Sequence, residues 1–179
     1  MLIALIDIPA RKELTAGYCG NALLESRQAR NDILELQFGR ECMCKACNRS
    51  DRAIAASDSR LKRIRKTQDR FTADHLAFAF DRGRALVELD WVERALKEEK
   101  KYGQLSIVLE ERMIVHAMWA ERPEAKKAAK AAVAYNKMVM GEERAAKLDM
   151  NEWVRNPEHH WSWGEALDAN GRKMVNSEL

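Results

Sequence analysis

A hydrophobic repeat at helical spacing runs from Ser57 to Arg155 and limits the fold of this chain more than any other feature. Apolar side chains recur every three or four residues, which places them on one face of an α-helix. Gly103, Pro123 and Gly141 interrupt the repeat. Glycine often follows the last turn of a helix, and proline is tolerated in the first turn. We therefore predict a mainly α fold with about five antiparallel helices in this region.

The predicted helix boundaries follow from residues that commonly begin or end helices. Ser57 or Ser59 is expected to cap the first helix, because a serine hydroxyl accepts a hydrogen bond from an unpaired backbone N–H. A second helical stretch is predicted from Ala73 to Tyr102, with a break near Gly83 allowed and Gly103 as its C-terminal cap.

The helix that starts at Pro123 has a face of small side chains, and a last helix is predicted from Glu142 to Arg155. The residues of the small face are Ala125, Ala128, Ala129, Ala132, Val133, Asn136 and Met140. Small faces let helices approach closely, as in stacked helical hairpins. No clean repeat of about 34 residues is present, so the expected tetratricopeptide-like arrangement rests on helix pattern alone.

The start of the chain and its charge restrict the class of protein. Residues 2–8 are predicted to form a short strand ending at Pro9, and they lack the basic leader and cleavage site of a signal peptide. No apolar run approaches the roughly 18 residues of a membrane span. A net charge of +3 is too weak to indicate nucleic-acid binding by itself, and no direct nucleic-acid binding is expected. A nuclear or cytoplasmic protein with no membrane partner is expected.

Three of the four cysteines lie within seven residues, in the segment Glu41 to Cys47, with the spacing C-x-C-x-x-C. In a reducing compartment, clustered cysteines bind metal more often than they form disulfides. Cys42, Cys44 and Cys47 are therefore predicted to hold zinc. The alternative is three unrelated buried thiols, since free cysteine is a common core residue.

A structural zinc site usually has four ligands, and this cluster supplies three. Cys19 is the remaining cysteine and the candidate fourth ligand, provided that the surrounding loop, TAGYCGN, folds back over the turn. The alternative is a site with three protein ligands.

Two further motifs have ordinary structural interpretations. The segment RLKRIRK, residues 60–66, is typical of a nuclear import signal or a phosphate-binding patch, but is favoured as a solvated helix face. Adjacent His159 and His160 in EHHWSW point in opposite directions on an extended segment, so an aromatic tail packed on the helices is favoured over a metal site.

The cysteine segment and its surroundings resemble the post-SET segment of SET-domain proteins, in particular the SET and MYND-like proteins of filamentous fungi. The family pattern is aromatic-Gly-aromatic, then C-x-C-x-x-C, then a Ser-Asp-x-Arg helix start. The residues of this chain that resemble the pattern are Phe38 and Gly39, the three cysteines, and Ser57-Asp58-x-Arg60. LIALIDIP resembles the last SET strand, and RNPEHHWSWG resembles the end of the family's helical C-terminal domain. The resemblance is strongest over residues 26–64.

The resemblance implies a protein-lysine methyltransferase fold with S-adenosylmethionine as methyl donor and zinc in the post-SET knuckle. Residues 1–50 would be the remnant of a SET domain with its cysteine segment, and residues 51–179 a helical C-terminal domain. Phe38 would lie at the cofactor pocket, and a histone or other protein lysine would be the substrate. Leu5 stands where the family has the tyrosine that orients the substrate amine, and Arg40 where it has the second aromatic residue. The donor-binding stretch and the segment that supplies the fourth zinc ligand are not found in this sequence.

Three functions follow from these observations. The first is a SET-related chain, truncated and inactive by itself. The second is a non-catalytic interaction module, in which a zinc knuckle and a helical scaffold bind a protein partner. The third is a methyltransferase completed by another polypeptide that carries the missing SET core.

Overall fold

In a computed structural model of the chain, residues 10–11, 23–148 and 150–167 are described. This part of the chain is mainly α-helical, as the sequence predicts. Its α-helices are α1 (Arg27–Phe38), α2 (Asp51–Ala73), α3 (His75–Phe80), α4 (Arg82–Glu98), α5 (Leu105–Met118), α6 (Arg122–Met140), α7 (Glu142–Ala146) and α8 (Met150–Arg155). Short 3₁₀ helices occupy Tyr102–Gln104 and Pro157–His159. The predicted strand at residues 2–8 lies outside the described residues.

The described residues fall into two compact units. Residues 10–11 and 23–68 belong to one, here called the N-terminal unit, and residues 69–148 and 150–167 to the other, the C-terminal unit. The division falls within α2, whereas the sequence pattern placed a domain boundary between residues 50 and 51.

The predicted serine cap of the first long helix is wrong, because α2 begins at Asp51 and contains Ser57 and Ser59 in its interior. The carbonyl oxygen of Ser50 accepts the first helical hydrogen bond, from the amide of Ile54 at 2.9 Å. Alanine is the strongest helix former, and the alanines before Ser57 extend the helix toward the cysteines.

The predicted C-terminal cap at Gly103 is also wrong, because α4 ends at Glu98 and Gly103 lies in a 3₁₀ helix. The left-handed residue after α4 is Lys100, with φ of 56°, and the next amide, that of Lys101, donates to the carbonyl of Leu96 at 2.8 Å. This hydrogen-bond pattern ends the helix without glycine.

The second helical stretch breaks near Gly83, as the sequence pattern allows, and aspartate side chains cap the helices that begin there and after Asp74. Asp74 accepts a hydrogen bond from the amide of Ala77 at 2.9 Å and caps α3, and Asp81 accepts one from the amide of Arg84 at 3.2 Å and caps α4. The predicted helix from Glu142 to Arg155 is likewise divided, into α7 and α8. Seven α-helices therefore include described residues between Ser57 and Arg155, where about five were expected from periodicity.

The core of the C-terminal unit lies between α5 and α6. Pro123 is in the first turn of α6, as predicted, and Gly141 follows its last residue. The buried cluster consists of Met113, Ile114, Ala117, Ala125, Ala128 and Ala129, and Trp153, Val154 and Trp163 pack against it. The final segment continues this packing through its backbone, because the amide of Ala166 donates to the carbonyl of Met118 at 3.1 Å.

Candidate metal centre

The segment between α1 and α2 forms a tight turn around the three cysteines. Gly39 ends α1 in the left-handed conformation, with φ of 67°, which a residue with a side chain rarely adopts. Farther along, the carbonyl oxygen of Cys44 accepts hydrogen bonds from the amides of Cys47 and Asn48, both at 3.0 Å. These bonds fold residues 44–48 back on themselves and bring the cysteines together.

The sulfur atoms of Cys42, Cys44 and Cys47 all lie within 4.8 Å of one another. Three sulfurs bound to one zinc ion in tetrahedral geometry, each at about 2.3 Å, are separated by roughly 3.8 Å. A contraction of about 1 Å or less, small enough for side-chain rotation, would bring the thiols to this geometry. The turn therefore presents a donor set that fits a zinc ion.

The three thiols differ in their exposure, and the pKa values of Cys44 and Cys47 are shifted in opposite directions. Cys47 is 3% exposed, and burial, together with a hydrogen bond from its thiol to Cys44, raises its pKa to about 11. Cys44 is exposed. Partial burial acts to raise the pKa of Cys44. Hydrogen bonds from the backbone of Cys47 and the side chain of Cys42 have the opposite effect and outweigh burial, so the pKa is lowered. The cluster thus has a buried side and a side open to solvent.

Contacts from α1 and α2 support the turn within the N-terminal unit. The buried Asn31 accepts a hydrogen bond from the amide of Cys42 at 3.3 Å, which ties the middle of α1 to the cysteines. Asp58 of α2 accepts one from the amide of Arg27 at 2.9 Å, and Arg65 pairs with Glu25. The start of the cysteine segment is therefore hydrogen-bonded to α1, and α1 in turn contacts α2.

A fourth protein ligand does not come from the described residues, among which this group has three members. Cys19, the predicted alternative, lies outside the described residues, as does Leu5. The choice between a fourth ligand from Cys19 and a site with three protein ligands therefore stays a prediction.

Phe38, the predicted cofactor-pocket residue, lines the same cavity as Cys42 of the cysteine cluster. It is the last residue of α1 and is 52% exposed. A cavity of about 440 Å³ adjoins its ring, and its wall also contains Cys42. Among the residues the structure describes, Leu34, Arg40, Glu41 and Met43 also line it.

The histidine pair and the RLKRIRK segment lie in different compact units of the structure. Buried His160 contacts the hydroxyl of Ser162 at 2.8 Å, whereas exposed His159 contacts Glu152 at 3.1 Å. The two rings therefore face different surroundings. In RLKRIRK, Leu61 and Ile64 are buried and the other residues form the exposed or half-buried side of α2.

A buried group of ionisable side chains in the C-terminal unit was not anticipated from the sequence. Nδ1 of His75 lies 2.7 Å from a carboxylate oxygen of Glu111, which is 3% exposed. Burial raises the pKa of Glu111 to about 7, against the opposing effect of His75. Burial, with a smaller contribution from the charge of His75, lowers the pKa of His160 to about 4. Glu111 stands between Glu110 and Arg112 in the sequence, but Val108 and Val115, which share its helix face, are both fully buried.

The comparisons with known proteins identify no relative. No protein-family model, no curated protein and no solved structure matches the chain. Among the described residues, no helix is both long and apolar enough to cross a lipid bilayer. The three clustered cysteines are therefore the observation from which a function is argued.

Proposed function

We propose that the N-terminal unit binds a structural zinc ion through Cys42, Cys44 and Cys47, and that the chain is a non-catalytic protein-interaction module. The observation that carries the proposal is the convergence of the three sulfurs within 4.8 Å. Thiolates are strong zinc ligands, and a site closed by three or four of them stabilises a fold that is too small to depend on its hydrophobic core.

Zinc explains the arrangement better than an inert set of core cysteines. Core thiols are selected for burial, whereas Cys44 is exposed and Cys42 is partly exposed. A disulfide would use two of the three sulfurs and leave the third without a role. A shared metal ion uses all three and accounts for the hydrogen-bonded turn that gathers them.

The relation to SET-domain proteins is part of the same proposal. The cysteine spacing and the sequence around residues 26–64 resemble the post-SET knuckle, which holds zinc in that family. Leucine at position 5 lacks the hydroxyl that a catalytic tyrosine would offer to the substrate amine. We therefore expect a SET-related chain that does not methylate lysine by itself, and whose helical C-terminal unit is a tetratricopeptide-like scaffold for a protein partner.

Metal analysis of the purified chain tests the zinc site. We expect one zinc ion per chain, measured by mass spectrometry, and an intense sulfur-to-metal charge-transfer band after substitution with cobalt. Cys44→Ser should release the metal. Cys19→Ser is the matched control: retention of zinc indicates three protein ligands, and release indicates that Cys19 is the fourth. A wild-type chain that carries no metal would contradict the proposal.

Calorimetry with S-adenosylmethionine tests the non-catalytic part separately. We expect no heat of binding and no methyl transfer to a histone mixture. Binding with micromolar affinity that Phe38→Ala abolishes would instead identify the cavity beside Phe38 as a methyl-donor pocket. Methyl transfer only after addition of a second polypeptide would support a methyltransferase assembled from two chains.

A further inference from the structure

The exposed side of α2 between residues 52 and 66 carries basic and small residues and no acidic ones. The exposed positions, here called the basic face, are Arg52, Ala55, Ala56, Ser59, Lys62, Arg63 and Lys66. At 100° per residue these positions fall on one side of the helix. The one acidic residue in this stretch, Asp58, is half-buried and accepts the amide of Arg27.

Three cations of the basic face, Arg52, Lys62 and Lys66, differ from the neighbouring Arg65 in their ion pairing. Arg65, on the neighbouring side of α2, pairs with Glu25, whereas Arg52, Lys62 and Lys66 form no ion pair with the residues the structure describes. Residues 23–68 contain 11 Lys and Arg and 6 Asp and Glu, which gives +5. Residues 69–179 contain 18 and 20, which gives −2. The small net charge of the whole chain therefore conceals a basic N-terminal unit.

The dimensions of the basic face match a nucleic-acid duplex. The 14 steps from Arg52 to Lys66 span about 21 Å at 1.5 Å per residue, and an α-helix with its side chains is about 10–12 Å wide. The major groove of B-DNA is about 12 Å wide. Ala55, Ala56 and Ser59 occupy the middle of the face, where small side chains permit close approach. The cations at either end reach outward, where the phosphates border the groove.

We propose that the basic face of α2 binds double-stranded DNA, mainly through its phosphates. The face presents cations and a single hydroxyl, and lacks the Asn and Gln side chains that read adenine in the major groove. Binding is therefore electrostatic and only weakly dependent on sequence. This activity does not rest on the zinc proposal, because α2 carries every residue involved.

Fluorescence anisotropy of the intact chain with a labelled duplex of about 21 base pairs, two helical turns, tests the proposal. Three to four phosphate contacts predict that the logarithm of the binding constant falls by roughly 3 for each tenfold increase in salt. Lys62→Gln combined with Lys66→Gln should weaken binding at least about tenfold near 0.1 M salt and reduce this slope by about 2.

The matched control is Lys127→Gln combined with Lys130→Gln, which removes the same charge from the exposed side of α6. It should leave binding unchanged, and circular dichroism should show that both variants fold. Equal loss in the two variants, or affinity independent of salt, would overturn the proposal. Tighter binding of single-stranded RNA or of polyglutamate than of duplex DNA would assign the face to a different partner.

Discussion

At the residue scale, Glu111 and His160 are two buried groups whose effects on stability oppose each other. Both interact with His75 in the C-terminal unit. The pKa of Glu111 is raised from 4.5 to about 7, so the folded protein holds a proton more firmly than the unfolded chain does. This contribution to stability is complete below pH 4.5 and is lost as the pH rises toward 7.

The sign is reversed for His160. Its pKa is lowered from 6.5 to about 4, so the unfolded chain binds a proton that the folded protein excludes. The contribution of His160 is complete above pH 6.5 and is lost as the pH falls toward 4. Between about pH 4.5 and 6.5 the two groups therefore partly cancel in the stability of the wild-type protein.

Single substitutions should separate these two contributions. With Glu111→Gln, we expect the free energy of unfolding to fall as the pH is lowered from 6.5 to 5, because the effect of His160 is no longer opposed. With His160→Asn, we expect the free energy of unfolding to rise as the pH is lowered from 6.5 to 5, because the effect of Glu111 is then unopposed. Urea denaturation at constant ionic strength measures both slopes. Parallel curves for the two variants would show that neither group is responsible.

At the scale of the element, the alanine face of α6 determines how closely this helix packs. Ala125, Ala129 and Ala132 are each fully buried, and an alanine methyl group occupies little space between two helix backbones. Interiors are packed as densely as organic crystals, so a larger side chain at these positions has no free volume to enter.

Ala132→Leu should therefore destabilise the C-terminal unit by about 1–3 kcal/mol, through overpacking. Ala131→Leu is the control, because the neighbouring position is exposed and leucine is nearly as good a helix former as alanine. Chemical denaturation of the two variants measures the difference. A stability loss of the same size in both would indicate an effect on helix propensity and not on packing.

The same elements show what the sequence predicts well. Helices α5 and α6 were predicted because their apolar spacing is regular and Pro123 and Gly141 mark the ends of α6. The start of α2 and the end of α4 were predicted wrongly. Serine is a common helix cap, but Ser57 lies inside α2, and Lys100 adopts a left-handed conformation that is more usual for glycine. Local sequence preference decides such ends only where tertiary contacts do not compete.

The candidate site divides in the same way. The three candidate metal ligands lie within seven residues, so their spacing alone predicts that they converge. His75 and Glu111 are 36 positions apart and meet only after α3 and α5 pack, and no local pattern contains that information. The position of a fourth ligand depends on the fold of a separate segment, so the cysteine spacing does not predict it either.

At the scale of the whole molecule, the two compact units carry different reporters. All five tryptophans lie in the sequence after residue 68, and the proposed zinc ligands lie before it. Tryptophan emission therefore follows the C-terminal unit, whereas hydrogen exchange of residues 27–68 follows the N-terminal unit. The two signals allow metal removal to be assigned to one unit.

Chelation of the metal by EDTA should accelerate amide exchange in α1 and in the cysteine turn, because metal binding contributes directly to the folding of such a unit. Tryptophan emission should remain unchanged at the same chelator concentration. The Cys44→Ser variant, already lacking metal, is the control and should not respond. If tryptophan emission shifted at the same chelator concentration at which amide exchange accelerates, the two units would unfold together.

The hydrogen bond from Ala166 to Met118 has a consequence for synthesis of the protein. The last carbonyls of a helix have no partner within it, and the partner for Met118 is made 48 residues later. At about 5–20 residues per second, translation supplies this amide roughly 2–10 s after α5 is complete. Throughout that interval the carbonyl of Met118 has only water as a partner for this hydrogen bond.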